Sequence, residues 1–335
     1  MSKFSLEVLK RRVFPFVETA DPDVILGAAF GEDVALTRVG DDILISHVDP
    51  IVGAIDNVGW LAVHVACNDI ATSGSPPRWI LPLILVPTPH DEALLGRIMR
   101  DAQRAAKEIG VSIIGGHSGY SSGLSRPLIA VTALGTASGR KVVRTSGAKI
   151  GDHVLITKGV AIEGTAILAQ DFADVAQKFG LSKKDIKKAS QLMGEVSVVR
   201  EAVLLAEHGA TAMHDVTRGG LLETLLEIST LSDVGVEIDF SRLPISPIVG
   251  QFAETFKFDP LRMISSGTLA ATVPPDMIEE TIDSLNTIGV LSADVGHVTN
   301  KIGVSILRKG KTTIHYRKIR CEEDELARMW ELYPR

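Results

Sequence analysis

The stretch from Ser138 to Gly151 constrains this chain more than any other. It is rich in Gly, Ser, Lys and Arg and carries no apolar periodicity, as a connection between domains does. It cuts a chain of 335 residues, too long for one hydrophobic core, into two halves. The reading is two domains, 1–145 and 146–335. Each half mixes strand and helix signals in similar proportion.

In the first half, Ser5 to Val13 reads as a short amphipathic helix. Val34 to Val39 and Ile43 to Val48 flank Gly40-Asp41-Asp42, a hairpin signal. Asp56 to Ala71 places Val58, Leu61, Ala62, Val65, Ala66 and Ile70 at helical spacing, with Asp56 as N-cap and Gly74 and Pro76-Pro77 as the stop. A strand is expected over 78–86, a helix over 91–109 stopped by Gly110, and strands over 111–114 and 128–136. The second half predicts strands over 153–157, 210–214, 234–240 and 268–273, with more between 295 and 316. Helices are expected over 159–168, 184–208, 221–228, 277–288 and 323–332. Hairpin signals outnumber strict strand–helix–strand alternation, so the fold class is α+β.

Composition excludes several function classes. With 45% hydrophobic and 23% charged residues the chain is globular rather than disordered. Net charge is −6, and no basic stretch is long enough for a nucleic-acid footprint. Lys183, Lys184, Lys187 and Lys188 cluster around Asp185 and read as a solvated helix face. The two cysteines, Cys67 and Cys321, lie far apart, which argues against a disulfide framework or a zinc site. Met1-Ser2-Lys3-Phe4-Ser5 has no apolar signal region, and Trp79 to Pro87 is too short to span a bilayer. The expectation is a soluble cytoplasmic protein with no membrane or nucleic-acid partner.

Short acidic or glycine-rich motifs follow the apolar runs. They are Gly31-Glu32-Asp33, Asp49-Pro50, Asn68-Asp69 with Ser73-Gly74, Gly115-Gly116, and His214-Asp215-Val216-Thr217-Arg218-Gly219-Gly220. Carboxylates hold hydrated divalent cations, and glycines let backbone N–H groups approach phosphate oxygens. Taken singly, Gly31-Glu32-Asp33 and Asp49 also read as polar turns. Asn68 and Asp69 interrupt an apolar helix, where an unpaired carboxylate is expensive, so they either bond locally or face a ligand. Gly115-Gly116 ends a strand and precedes His117; the Ser- and Gly-rich segment 118–125 reads as a ligand-covering loop or a loose tip. In the last motif, Thr217 is positioned to cap a helix opening at Gly219-Gly220, where free N–H groups bind anions and Arg218 adds a bidentate contact. Glu163-Gly164-Thr165 is a weaker second site of the same kind.

In this order and spacing the motifs resemble the aminoimidazole-ribonucleotide synthase-like ATP-binding superfamily, roughly from Gly31 to Leu307. That superfamily includes the synthase itself, thiamine-monophosphate kinase, selenophosphate synthetase and the hydrogenase-maturation factor HypE, whose pattern is nearest. Gly31-Glu32-Asp33-Val34-Ala35 is similar to the family's Gly-Asp-Asp-Ala-Ala. His47-Val48-Asp49 is similar to Thr-Thr-Asp, and Asn68 to Gly74 to Asn-Asp-Leu-Ala-x-x-Gly. Ile114-Gly115-Gly116 resembles the Gly-Gly-Asp/Glu-Thr start, and Ser146 to Asp152 the Gly-Ala-x-x-Gly-Asp that opens the second domain. His214 to Leu221 resembles the Asp-Pro-Thr-Arg-Gly-Gly-Leu of HypE.

The resemblance implies a two-domain α+β fold that dimerises through its N-terminal domains and uses ATP and Mg²⁺ near that interface. It implies Asp33, Asp49, Asp69 and Asp215 as metal ligands. It implies Gly115 and Gly116 against the phosphates. Gly31, Glu32, Asn68, His117, Thr217, Gly219 and Gly220 are expected around the nucleotide too, and Asp69, His214 and Arg218 in catalysis, with His214 or His117 moving a proton. The activity implied is phosphoryl activation of a substrate oxygen on an unidentified acceptor, as in hydrogenase maturation, with a maturation partner protein. Small-molecule kinase or synthetase chemistry of the same superfamily, and nucleotide binding without turnover, are the alternatives. Two departures stand out. His117 replaces the acidic residue after Gly-Gly, and imidazole is a poorer partner for magnesium. The Pro-Arg-Ile-Cys ending of HypE has no counterpart in Tyr333-Pro334-Arg335, so substrate carriage in cis is not expected.

Overall fold

The computed structural model describes residues 4, 6–17, 19–51, 57–138, 142–308, 312–318 and 324–333. The expected N-cap Asp56 and the thiol Cys321 lie outside these residues.

The first half contains helix α1 (Leu6–Arg12), strands β1 (Val24–Leu26), β2 (Ala35–Val39) and β3 (Asp42–Ile51), helix α2 (Val58–Thr72), strand β4 (Pro77–Val86) and helix α3 (Glu92–Glu108). Strands β5 (Ser112–Ile113), β6 (His117–Tyr120) and β7 (Leu128–Ala137) follow. They form a seven-stranded sheet in the order β1-β2-β3-β7-β4-β5, with β6 also pairing β4. The expected hairpin is β2–β3, in register from Ala35↔Ser46 to Val39↔Asp42. Strict alternation decides its faces. Along β7, Ile129, Val131, Ala133 and Ala137 are buried, whereas Leu128, Ala130, Thr132, Leu134 and Thr136 are only partly covered. The covered face carries α2, whose Leu61, Ala62, Val65, Ala66 and Ile70 join the core.

The second half contains strand β8 (His153–Thr157), helices α4 (Ile162–Asp171), α5 (Ala173–Lys178), α6 (Lys183–Ser190) and α7 (Val199–Glu207), strand β9 (Ala212–Asp215), helix α8 (Gly220–Ser232) and strand β10 (Gly235–Asp239). Helix α9 (Pro247–Phe256), strand β11 (Leu269–Val273), helix α10 (Ile278–Thr287), strands β12 (Ser292–Thr299), β13 (Gly303–Arg308) and β14 (Thr312–Tyr316), and helix α11 (Glu325–Leu332) complete it. The second sheet runs β14-β13-β10-β12-β8-β11-β9. One apolar cluster is continuous from Ile45 and Ile70 in the first half to Met213 and Leu269 in the second, so the halves pack closely.

Three expectations are corrected. The single helix over 184–208 is two, α6 and α7, separated by a 3-10 turn at Gln191–Glu195. The segment after Gly116 is not all loop, because His117–Tyr120 pairs in parallel with β4. Helix α9 was not expected, although Ser246 caps it by accepting from the Val249 N–H and Pro247 opens it. Among the described residues no helix is long and apolar enough to cross a membrane.

Candidate active site

The site forms where strand β3 and helix α2 of the first sheet meet β9 and α8 of the second. Strand alternation puts His47 and Asp49 on the α2 side of β3. Asp69, near the end of α2, brings its carboxylate 3.3 Å from His47 Nε2. His47 Nδ1 in turn donates to the Asp33 carbonyl at the entry to β2. From the other sheet, His214 Nδ1 lies 3.3 Å from Asp33 Oδ2 and 3.7 Å from Asp215 Oδ1. Its Nε2 lies 3.0 Å from Glu227 Oε2 on α8. Ligand atoms of Asp33, His214 and Asp215 all fall within 4.8 Å of one another.

The electrostatics are those of a site short of positive charge. Burial pushes the Asp69 carboxyl well above its ordinary range, and Asp215, Asp33 and Asp49 push it further, with His214 opposing. Burial alone would depress the His214 imidazole. Asp33, the Asp215 carboxylate 3.7 Å away and Glu227 outweigh burial and hold the imidazole protonated well above its ordinary range. Asp215 is fully buried, and among the described residues neither carboxylate oxygen accepts a hydrogen bond. A buried carboxylate in that condition is costly, and a divalent cation removes the cost by replacing the protons these groups would otherwise retain. The donor set therefore fits a bound cation. Beside it opens a cleft of about 440 Å³, lined by Phe14, Ala28, Asp33, Ser46, His47 and Thr132 among others, a volume suited to a nucleotide.

Other expected residues sit elsewhere. Both oxygens of Glu32 are spent on the interdomain turn, accepting from Thr145 N (3.3 Å) and Ser146 Oγ (2.6 Å). Gly31 packs on α8 beside Leu231 and Glu227. Asn68 turns away from Asp69; its amide donates to the Val196 carbonyl (2.7 Å) and accepts from Val198 N (2.8 Å), tying α2 to the start of α7. Gly115, Gly116 and His117 lie exposed at the far side of the first sheet. His117 pairs with Leu83, Leu83 with Ala130 and Ala130 with Pro50, so roughly 14 Å separates them from Asp49. Gly116 (φ +140°) is demanded by packing, since a Cβ there would stand 2.3 Å from the Pro82 carbonyl oxygen.

The start of α8 also differs from expectation. Its N-cap is Gly219, not Thr217, and has no side-chain cap; Thr217 supplies a carbonyl to Gly220 N. The Gly219 N–H is not open to a phosphate, because it donates to Asp324 Oδ2 at 3.0 Å. Gly220 (φ +68°) is buried against the Leu261 carbonyl, which a Cβ would approach to 2.5 Å. Arg218 is half-buried and acts electrostatically on buried Glu163, whose carboxyl burial raises to about 7. Sequence reading missed Glu227 and did not give His47 a role. Glu227 was detectable on the grounds that exposed Asp69, as a carboxylate inside an apolar helix.

The N-terminal domain pattern described as AIR synthase related protein matches residues 31–137, and its C-terminal counterpart matches 149–308. The chain belongs to the AIR synthase related family. It is 29% identical over 260 residues to the carbamoyl dehydratase HypE of Rhizobium leguminosarum bv. viciae, covering 75% of this chain and 71% of the relative. It is 24% identical to the selenide, water dikinase of Carboxydothermus hydrogenoformans, covering 92% and 95%. Among solved structures it superimposes on HypE in complex with ATP with a TM-score of 0.70 at 21% identity, covering 90% of this chain and 92% of the other. On a HypE–HypF complex the TM-score is 0.72 at 22% identity, covering 84% and 92%.

Proposed function

We propose that this enzyme uses ATP and Mg²⁺ to activate a substrate oxygen by phosphoryl transfer, as its carbamoyl dehydratase relatives suggest. The observation that carries the reading is the convergence of Asp33, Asp69 and Asp215 from three elements beside the cleft. Those carboxylates, with Asp49 near Asp69, would hold the cation, whose chemistry is to neutralise phosphate charge and orient the transferred group. His214 holds a proton between Asp33 and Glu227 and is placed to give or take it at Nδ1. Arg218, three residues after Asp215, would contribute positive charge. The open, half-apolar face of the first sheet supports a homodimer, and the HypE–HypF complex supports a maturation partner protein.

Titration calorimetry of ATP with and without Mg²⁺, followed by phosphate release, tests this. Metal-dependent binding with release of free phosphate on adding the acceptor is expected. No ATP binding at any magnesium concentration overturns it. The dikinase relative favours a second reading, a small-molecule kinase, in which the phosphoryl group stays on the acceptor. Binding without any turnover would point to a regulatory protein.

A further inference from the structure

Away from the acidic centre, the second sheet carries a row of side chains able to hold a metal. Glu237 of β10 is directly opposite His297 of β12, and His297 is directly opposite His153 of β8. Residues opposed in this way point to one face and hold their Cβ atoms about 4.5–5.5 Å apart. The side chains of His297, Glu237 and His153 are 56%, 42% and 33% exposed, so the rings can turn and an ion can enter. Nε2 of His297 stands 3.6 Å from Oε2 of Glu237, too long for a hydrogen bond. It is close to the roughly 3.4 Å between neighbouring ligands of a tetrahedral ion bound at about 2.1 Å.

Behind His153 is the partner that a metal-binding histidine needs. Its Nδ1 donates to Asp294 Oδ2 at 3.1 Å, which leaves Nε2 to present the lone pair. Arg242 donates to the same oxygen at 2.9 Å and the Gly296 N–H to Oδ1 at 3.3 Å, so Asp294 is fixed in place. Asp294 reaches this face because β12 bulges between Asp294 and Gly296, and the extra residue, Val295, turns the carboxylate to the side of His297. Ile156 of β8 stands level with His214 through Ala270. His153 is therefore roughly 10 Å further down β8 and two strands across from His214, well apart from the acidic centre.

We propose that Glu237, His297 and His153 bind a first-row transition dication of the zinc type across three strands, with water in the fourth position. Imidazole nitrogen suits such ions, whereas magnesium keeps oxygen ligands and water. An ion held there ties β10, β12 and β8 together and stabilises the second sheet by mass action. The inference does not rest on the proposed function.

The test titrates Zn²⁺ against a chromogenic chelator on metal-depleted full-length chain, with Mg²⁺ in large excess to hold the acidic centre. One Zn²⁺ per chain, bound in the micromolar range or tighter and raising the melting temperature, is expected. His297→Gln and His153→Gln should each weaken that binding by about tenfold or more. His297→Gln, at an exposed position, should also abolish the Zn²⁺-induced thermal shift while its metal-free form melts with the wild type. Asp215→Asn should leave the Zn²⁺ affinity unchanged. No Zn²⁺ binding in the presence of Mg²⁺, or binding that both histidine substitutions leave unchanged, overturns the proposal. Binding lost in Asp215→Asn but kept in His297→Gln would place the ion at the acidic centre and overturn it as well.

Discussion

Oε2 of Glu227 lies 3.0 Å from Nε2 of His214, with both side chains buried. The pair joins α8 to β9 and directs the opposite ring nitrogen at Asp33 and Asp215. Glu227→Gln keeps the shape but removes the charge that orients the ring. The variant His214 is expected to give up its proton at lower pH than the wild type, because one of the charges that holds the proton is gone. An NMR titration of the His214 ring in variant and wild type checks this, and an unchanged titration would mean that Glu227 does not hold the proton.

Asn68 connects the halves of the molecule through the Val196 carbonyl and the Val198 N–H. Asn68→Ala strands both groups in a buried setting, at about 1–3 kcal/mol for each left unpaired. A melting temperature lower by several degrees is expected. Asn68→Asp should be worse, because a carboxylate cannot donate to Val196 and would be charged and buried. Thermal unfolding of the three proteins decides, and an unshifted Asn68→Ala would remove the clamp from the account.

Much of this was legible because the signals were local. The β2–β3 hairpin followed from alternation around Gly40, and Asp69 declared itself as a carboxylate in an apolar helix. What the sequence does not carry is which way neighbours on a helix turn. Asn68 and Asp69 differ by about 100° of rotation, so one reaches α7 and the other reaches His47. Glu32 was drawn to the linker turn at Thr145 and Ser146, a pairing across more than a hundred residues that no local pattern marks. The Gly219 N–H met Asp324, more than a hundred residues away, a contact that local motif reading cannot supply.

Burial raises the Glu163 carboxyl from its ordinary 4.5 to about 7, with Asp324 adding to the rise and Ser266 and Arg218 opposing it. A group whose folded value is raised contributes stability that is complete below pH 4.5 and lost as pH climbs through 7. The swing is on the order of 3 kcal/mol. Glu163→Gln keeps an oxygen for the Ser266 N–H, 3.2 Å away in the wild type, but cannot ionise. The variant should therefore gain on wild type between pH 5 and pH 8, measured as the difference in melting temperature at each pH. A difference that does not change with pH would show Glu163 to be ionised throughout.

The outer face of the first sheet presents Trp79, Leu81, Leu83 and Leu85 of β4 beside Leu128, Ala130 and Leu134 of β7, all partly covered, with Val48 of β3 59% exposed. A contiguous apolar sheet face of this kind suits a partner, and a second copy would offer one with the same chemistry. Light scattering on the eluting protein should give about twice the 35.9 kDa chain mass. Leu83→Lys places a charge in the middle of that face without entering the core, so it should halve the mass while leaving the melting curve of the chain cooperative. A wild-type protein that elutes as a monomer at micromolar concentration would leave this face to a different protein.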